Sequence, residues 1–372
     1  MIESLHIVGF KLFRDLTLPK LGRMNLFVGE NNTGKSCLLE AIGLYAGRNP
    51  AGDILQAAAL RSQQVPRPWE ADGWNEQGTA LRHPLFDMFH WAKAIGEPSI
   101  GSRILIEIDR DPNPMLMEVQ ARDAVINVQG EIRYVRITSE DEAVSSMEYV
   151  VAVHRGGKQV ALVTRQTVPL YSHILDPIKL QNDDALVVAH LPAIGYSNEK
   201  AASLWDSLIQ GPGQERVLNW LRLVDPRIED LDYIAGQLRL DSRVALLKVE
   251  GKGRIPLSTM GDGMRRMLHI GLAMATSSKG ILLIDEFENG LHWRVQQELW
   301  AALGKAAQEF DVQIFATTHS RDCIGGFVSA SAELGIKDAT LYRMEREGDE
   351  IYAVSLALIN VEDALEVNGE VR

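Results

Sequence analysis

The stretch FVGENNTGKSCLLEAI, Phe27 to Ile42, restricts what this chain can fold into more than any other. An apolar run ends at Gly29, a glycine-bounded loop follows, and Lys35 and Ser36 open a segment with helical apolar spacing. Gly29-Glu30-Asn31-Asn32-Thr33-Gly34-Lys35-Ser36 satisfies G-x-x-x-x-G-K-[ST] at every fixed position. Glycines let such a loop wrap tightly so that backbone N–H groups point inward, the lysine reaches terminal phosphates, and the serine offers its hydroxyl to Mg²⁺ at a helix N-terminus. The candidate nucleotide-binding set is therefore Gly29, Asn31, Asn32, Thr33, Gly34, Lys35, Ser36 and Cys37, with the Cys37 side chain read as a packing group. A chance match in a turn is the alternative, and the flanking strand and helix argue against it.

A second constellation lies in the last third. GILLIDE, Gly280 to Glu286, is an apolar strand ending in two carboxylates. Asp285 is placed to hold Mg²⁺ and Glu286 to orient or deprotonate an attacking water. VQIFATTHS ends another apolar strand at Thr317, Thr318, His319 and Ser320, so that His319 is a candidate sensor of a terminal phosphate. STMGDGMRRM, from Ser258, is a glycine turn opening a helix, itself an anion site, with Gly261, Asp262, Gly263 and Met264 as candidates. Each piece has an ordinary structural explanation, a solvated strand end or a glycine cap. Their order, glycine loop, glycine turn, acidic strand, histidine, is far more specific than any one of them. For His292, in NGLH, and the remaining histidines an ordinary hydrogen-bonded role is expected.

Between these ends, RILIEID, MLMEVQ, EIRYVRIT, MEYVVAVH and QVALVT predict an antiparallel sheet, and PLFDMFHWAKAI a short amphipathic helix. NEKAASLWDSLI and GQERVLNWLRLV predict two helices with Asn198 and Gly213 near their starts, followed by a hairpin in QLRLDSRVALLKVEGKGRIPL. The alternation of strand and helix after Gly280 predicts a parallel sheet with helices on its faces. The expected fold is α/β: a mixed-sheet core with an antiparallel β insert and a small helical lid. Residues 1–102 form the first part of the core, 103–180 the β insert, 181–257 the lid and hairpin, and 258–372 the rest of the core.

Composition narrows the class. A net charge of −12 is far from that of a dedicated nucleic-acid binder, although Arg265 and Arg266 form a modest basic cluster beside the glycine turn. The two cysteines, Cys37 and Cys323, argue against a disulfide framework or a thiolate metal site. No apolar run of about 18 residues occurs, and MIESLHIVGF lacks a basic leader, which predicts a cytoplasmic protein without a membrane span.

The openings SLHIVGFKLFRDL and GENNTGKS, with PLSTMGDGMRR, LLIDEFENGLH and TTHS, resemble the ABC-type ATPase superfamily in its RecF, SMC and overcoming-lysogenization-defect branch (OLD-like, AAA_15 and AAA_21). SLWDSLI…RVLNWLRLVDPRIEDL resembles the lid of the OLD-like ATPases. The resemblance implies a P-loop ATPase head that uses ATP and Mg²⁺. Gly29 to Ser36 correspond to Walker A, Gly261 to Arg265 to the signature, Asp285 and Glu286 to Walker B, Glu288 to His292 to the D-loop region, and His319 to the switch. Gly261 replaces the serine many members carry, so backbone N–H groups carry more of the signature's contact. Gln63 and Gln64 are the candidates by position for a Q-loop glutamine. The resemblance further implies a homodimer that closes around nucleotide. Full-length OLD-like nucleases carry a TOPRIM domain after the ATPase, and the 53 residues that follow His319 are fewer than such a domain needs, so regulation of a separate effector or nuclease protein is expected, in the setting of anti-phage defence. Residues of about 103 to 257 hold none of the candidate catalytic groups and are the expected partner-recognition region, the alternative being that their apolar strands complete the core. Two alternatives stand beside this: a DNA-repair or recombination clamp gripping duplex DNA, and a nucleotide-gated scaffold with negligible turnover.

Overall fold

The computed structural model describes residues 1–47, 88–89, 102–109, 114–126, 132–136, 147–164, 186–236, 243–333, 335 and 338–366. Gln63 and Gln64, and most of the helix expected in PLFDMFHWAKAI, lie outside the described residues.

The chain opens with a hairpin of β1 (Leu5–Phe10) and β2 (Phe13–Leu18), paired antiparallel across a turn in which Lys11 takes φ 47°. β3 (Met24–Val28), buried at every residue, then runs through the glycine loop into α1 (Lys35–Ala46). The five strands expected between 103 and 164 are β4 (Arg103–Ile108), β5 (Met115–Ile126), β6 (Ile132–Arg136), β7 (Met147–Arg155) and β8 (Lys158–Thr164). They continue the opening hairpin rather than forming a sheet apart from it: β1 pairs β4, and the order is β2-β1-β4-β5-β7-β8 with β6 on β5.

After β9 (Val188–Leu191) come α2 (Asn198–Ser207) and α3 (Gly213–Arg222). Ser197 caps α2, its hydroxyl accepting from the Lys200 N–H at 3.2 Å. The expected hairpin is a three-stranded antiparallel sheet of β10 (Ile228–Ala235), β11 (Arg243–Val249) and β12 (Gly253–Pro256). β10 escapes a reading by alternation because a bulge between Ile228 and Asp230 shifts its register, so that Ile228 and Leu231, three apart, share the buried side. A 3-10 turn (Leu257–Met260) leads into α4 (Asp262–Thr276), then β13 (Ile281–Ile284), α5 (Trp293–Glu309), β14 (Gln313–Thr317), α6 (Arg321–Glu333), β15 (Ala339–Glu347), β16 (Glu350–Leu356) and α7 (Leu358–Glu366).

The central sheet has the order β16-β15-β3-β14-β13-β9. It is parallel from β15 to β9, with β16 antiparallel at one edge, the mixed sheet that the alternating pattern implies. Period-two alternation sends its side chains to two cores. Met24, Leu26, Val28, Leu282, Ile284, Ile314 and Ala316 pack among α4, α5, α6 and the lid, whereas Phe27, Ile281, Leu283 and Phe315 pack with α1 and the antiparallel sheet. α1 thus lies between two sheets, which explains why SCLLEAIGLYA is apolar around most of its circumference; only Ser36 in its first turn is exposed.

Candidate functional site

Parallel strands carry their C-terminal ends to one edge, and in open α/β sheets that edge is where ligands bind. Here the glycine loop follows β3, Thr318 to Ser320 follow β14, Asp285 to His292 follow β13, and Pro192 to Tyr196 follow β9. Because β14 lies between β3 and β13, three of the sequence-predicted groups converge there.

The glycine loop is held by backbone conformations that few residues adopt. Gly29 has φ 141° and Gly34 φ 86°; a β-carbon on Gly29 would lie 2.5 Å from the Met344 carbonyl oxygen, and one on Gly34 would lie 2.6 Å from the Phe13 ring. Gly34→Ala therefore combines left-handed strain with overpacking against a fully buried ring, and a loss of about 2–4 kcal/mol is expected. Urea unfolding at unchanged m checks this; a loss under 1 kcal/mol would refute the clash. Thr33 Oγ1 donates to the Glu30 carbonyl at 2.8 Å. Lys35 curls back beneath the loop, its Nζ donating to the Gly29 and Glu30 carbonyls at 2.7 Å each. Burial lowers the Lys35 pKa, and the charges of Asp285, Glu286 and Glu288 oppose that shift. Asn31, Asn32 and Ser36 are exposed; Cys37 is half-buried against the α1 core.

Ser36 Oγ donates to Asp285 Oδ1 at 3.0 Å, and Thr317 Oγ1 donates to the same oxygen at 2.6 Å. Thr317 also accepts the Glu286 N–H at 2.9 Å. One hydroxyl at the end of β14 thereby joins both carboxylate positions. Glu286 takes φ 48°, and Asn289 Nδ2 donates to its Oε2 at 2.7 Å. His319 stands on the other side of the acidic turn, where its backbone N–H and ring Nδ1 lie 3.1 and 3.4 Å from Glu288 Oε1.

The glycine turn is differently placed. Gly261, at φ 86°, precedes α4 with no side-chain cap; Asp262 is exposed and paired with Arg265 at 2.9 Å. The turn packs on the segment after β13, where a β-carbon on Gly263 would lie 2.9 Å from the Gly290 carbonyl oxygen. The Met264 side chain is buried in the core beneath α4, which leaves only its main chain for a ligand at this turn. The basic cluster is also divided. Arg265 points outward, whereas Arg266 is 4% exposed and donates to four carbonyls, Pro192 at 2.9 Å, Ala193 at 3.4 Å, Asp285 at 2.6 Å and Glu286 at 2.8 Å. Burial pushes its pKa down to about 10 against the pull of Asp285, Glu288 and Glu286. Arg266 is consequently a bolt between α4 and the acidic turn. His292 caps α5, its Nδ1 accepting from the Arg294 N–H at 3.3 Å, an ordinary structural role.

Thr317 enters the sequence reading only as a strand end and Asn289 only as part of the D-loop region, neither with a role of its own, and the inward reach of Arg266 has no local signal. Beside β13, opposite β14, the turn Pro192 to Tyr196 contains no glutamine.

Residues 186–324, from β9 to the start of α6, match the AAA ATPase domain family, a segment that excludes the glycine loop. An ATP/GTP phosphatase of Helicobacter pylori is 22% identical over 348 residues, covering 87% of this chain and 86% of that protein. An uncharacterized protein of Methanocaldococcus jannaschii is 30% identical over 110 residues, 30% of this chain and 96% of that protein, so the two share a family. Among solved structures, an SMC head bound to the C-terminal winged-helix domain of ScpA superposes with a TM-score of 0.52 at 12% identity, covering 98% of this chain and 99% of that one.

Proposed function

We propose that this chain, an ABC/SMC-like P-loop ATPase, hydrolyses ATP in composite sites formed by two copies, and that its nucleotide state governs a separate effector protein. The observation that carries the reading is the meeting of Ser36, Asp285 and Thr317 on one carboxylate oxygen, with Glu286 next in the chain. Two hydroxyls and a carboxylate form a hard oxygen donor set that suits Mg²⁺, with Ser36 and Asp285 as its protein ligands. When bound, Mg²⁺ would neutralise charge on the phosphate oxygens.

In this reading the main-chain N–H groups from Gly29 to Cys37 cradle the β- and γ-phosphates, and Lys35 exchanges its loop carbonyls for phosphate oxygens. Glu286 accepts the proton of the attacking water. His319, braced by Glu288, is in reach of the γ-phosphate. A lone glycine loop leaves that phosphate partly in water, and the exposed Ser258–Asp262 turn of a second copy supplies further N–H donors at a helix N-terminus. Large apolar side chains exposed at Ile209, Leu223, Val224 and Ile234, in the lid and its small sheet, support that region as the effector-facing surface. The resemblance of the opening and lid segments to OLD-like ATPases supports a role for such a device in phage defence.

Mixed dimers test the composite site. Gly261→Asp adds a charge at the turn where no atom lies within 4 Å, without the contact that Gly263 would meet but with left-handed strain at φ 86°, so its folding is checked by urea unfolding. Lys35→Ala and Gly261→Asp homodimers are each expected to lose most activity, and their mixture to recover the turnover of one intact site per heterodimer. Full activity of either variant alone, or a mixture no more active than the sum of its parts, would refute the two-copy site.

A further inference from the structure

We infer that Asn289 is a positioning residue that aims the Glu286 carboxylate; this rests on Glu286 being the group that takes the water's proton. At φ 48° Glu286 occupies a left-handed conformation that is strained for a residue with a β-carbon and persists only where neighbours over-determine it. Three neighbours do so. The Glu286 N–H donates to Thr317 Oγ1 at 2.9 Å, and its carbonyl accepts from the Arg266 guanidinium at 2.8 Å and from the Asn289 N–H at 3.1 Å. With its main chain fixed, the side chain is directed by Asn289, whose Nδ2 donates to Oε2 at 2.7 Å.

The amide cannot simply follow that carboxylate, because the same nitrogen donates to the Ala193 carbonyl at 3.1 Å. Ala193 belongs to a turn anchored on three sides: Arg266 binds the Pro192 and Ala193 carbonyls, Gly195 N–H closes on the Pro192 carbonyl at 2.9 Å, and Tyr196 N–H donates to His269 Nδ1 at 3.2 Å. Burial and the neighbouring Arg266 and Arg265 charges lower the His269 pKa to about 4, which keeps that ring neutral and able to accept at neutral pH. The chain of constraint therefore runs from a rigid turn, through one amide, to Oε2, and leaves Oε1 for water. A general base works only within about 2.6–3.2 Å of the proton it takes, and misplacement by about 1 Å can cost about 100-fold.

The test uses the full chain with Mg²⁺-ATP varied from below KM to saturation. Asn289→Ala and the isosteric Asn289→Asp, which keeps shape but replaces the N–H donor with an anionic oxygen facing Oε2, are each expected to lower kcat about 10- to 100-fold while KM changes by less than about twofold. In a Glu286→Gln background, Asn289→Ala is expected to change the residual rate by less than about twofold, since a residue acting through the carboxylate has nothing left to aim. Native kcat in a folded Asn289→Asp protein would overturn the inference, and so would an equal fractional loss in both backgrounds. Should Asn289→Ala not fold, the Asp variant decides, read in the same two backgrounds. A native rate in Glu286→Gln alone would instead remove the base reading itself, a result distinct from an inactive Glu286→Gln beside a fully active Asn289→Asp.

Discussion

Replacing Glu286 by glutamine is expected to leave ATP bound and almost unhydrolysed. The amide preserves the side chain's size and can still meet Asn289 through its carbonyl oxygen, so the left-handed turn and its bonds to Thr317 and Arg266 stay in place. What disappears is the lone pair that takes the water's proton, a contribution of about 10²- to 10⁴-fold in comparable sites. Single-turnover hydrolysis with radiolabelled ATP is therefore expected to slow by that factor, while equilibrium binding of Mg²⁺-ATP shifts by less than about threefold. Because nucleotide then persists in the site, the two-copy form should accumulate in gel filtration when Mg²⁺-ATP is present. Turnover at the native rate would mean that the carboxylate beside Asp285 has no part in chemistry.

Lys35→Ala should give the opposite pattern, with failure at binding. The ammonium is held under the loop by the Gly29 and Glu30 carbonyls, and its charge is kept in a partly buried place among Asp285, Glu286 and Glu288. Removing it takes away the loop's own positive charge and leaves the nearby Asp285, Glu286 and Glu288 less opposed as phosphates approach. Truncating one partner of such a charge pair costs about 2–5 kcal/mol, so ATP affinity should fall on the order of 30-fold or more. The unliganded protein should unfold within about 1–2 kcal/mol of the native chain, since two carbonyl contacts are lost and the loop's glycines can readjust. Titration calorimetry with Mg²⁺-ATP beside urea unfolding separates the two quantities. Native affinity would remove Lys35 from the phosphate site.

What was legible in the sequence is what local spacing encodes. The bracket of Gly29 and Gly34, the run ILLI closing on two acids, and the helical stripe of α1 are each written in consecutive residues, and each forms the element expected of it. Pairings between distant segments left no such trace. That β1 and β2 share a sheet with the strands after residue 102 depends on β1 pairing β4 across a long stretch of chain. The Thr317 bond to Asp285 exists because β14 is the neighbour of β13, which strand order alone decides. GMRRM presents Arg265 and Arg266 as one compact basic cluster; only the position of α4 over the acidic turn shows that one arginine faces solvent and the next is enclosed by carbonyls. The burial of the Met264 side chain is likewise a matter of where α4 packs, which no local pattern states.

The enclosure of α1 has a consequence for control. Sheets cover it on both sides, and its first turn holds its one exposed residue, so a regulator has no helix surface to grip. Influence on the glycine loop has two routes left: directly across the open edge where Asn31, Asn32 and Ser36 meet solvent, or mechanically through the antiparallel sheet, which is in series with the helix. Close packing makes that second route stiff, because an interior without voids passes a displacement on rather than absorbing it. A load applied at the antiparallel sheet would thus be felt at the loop as a shift of the whole helix, and the loop would return the same load to the sheet.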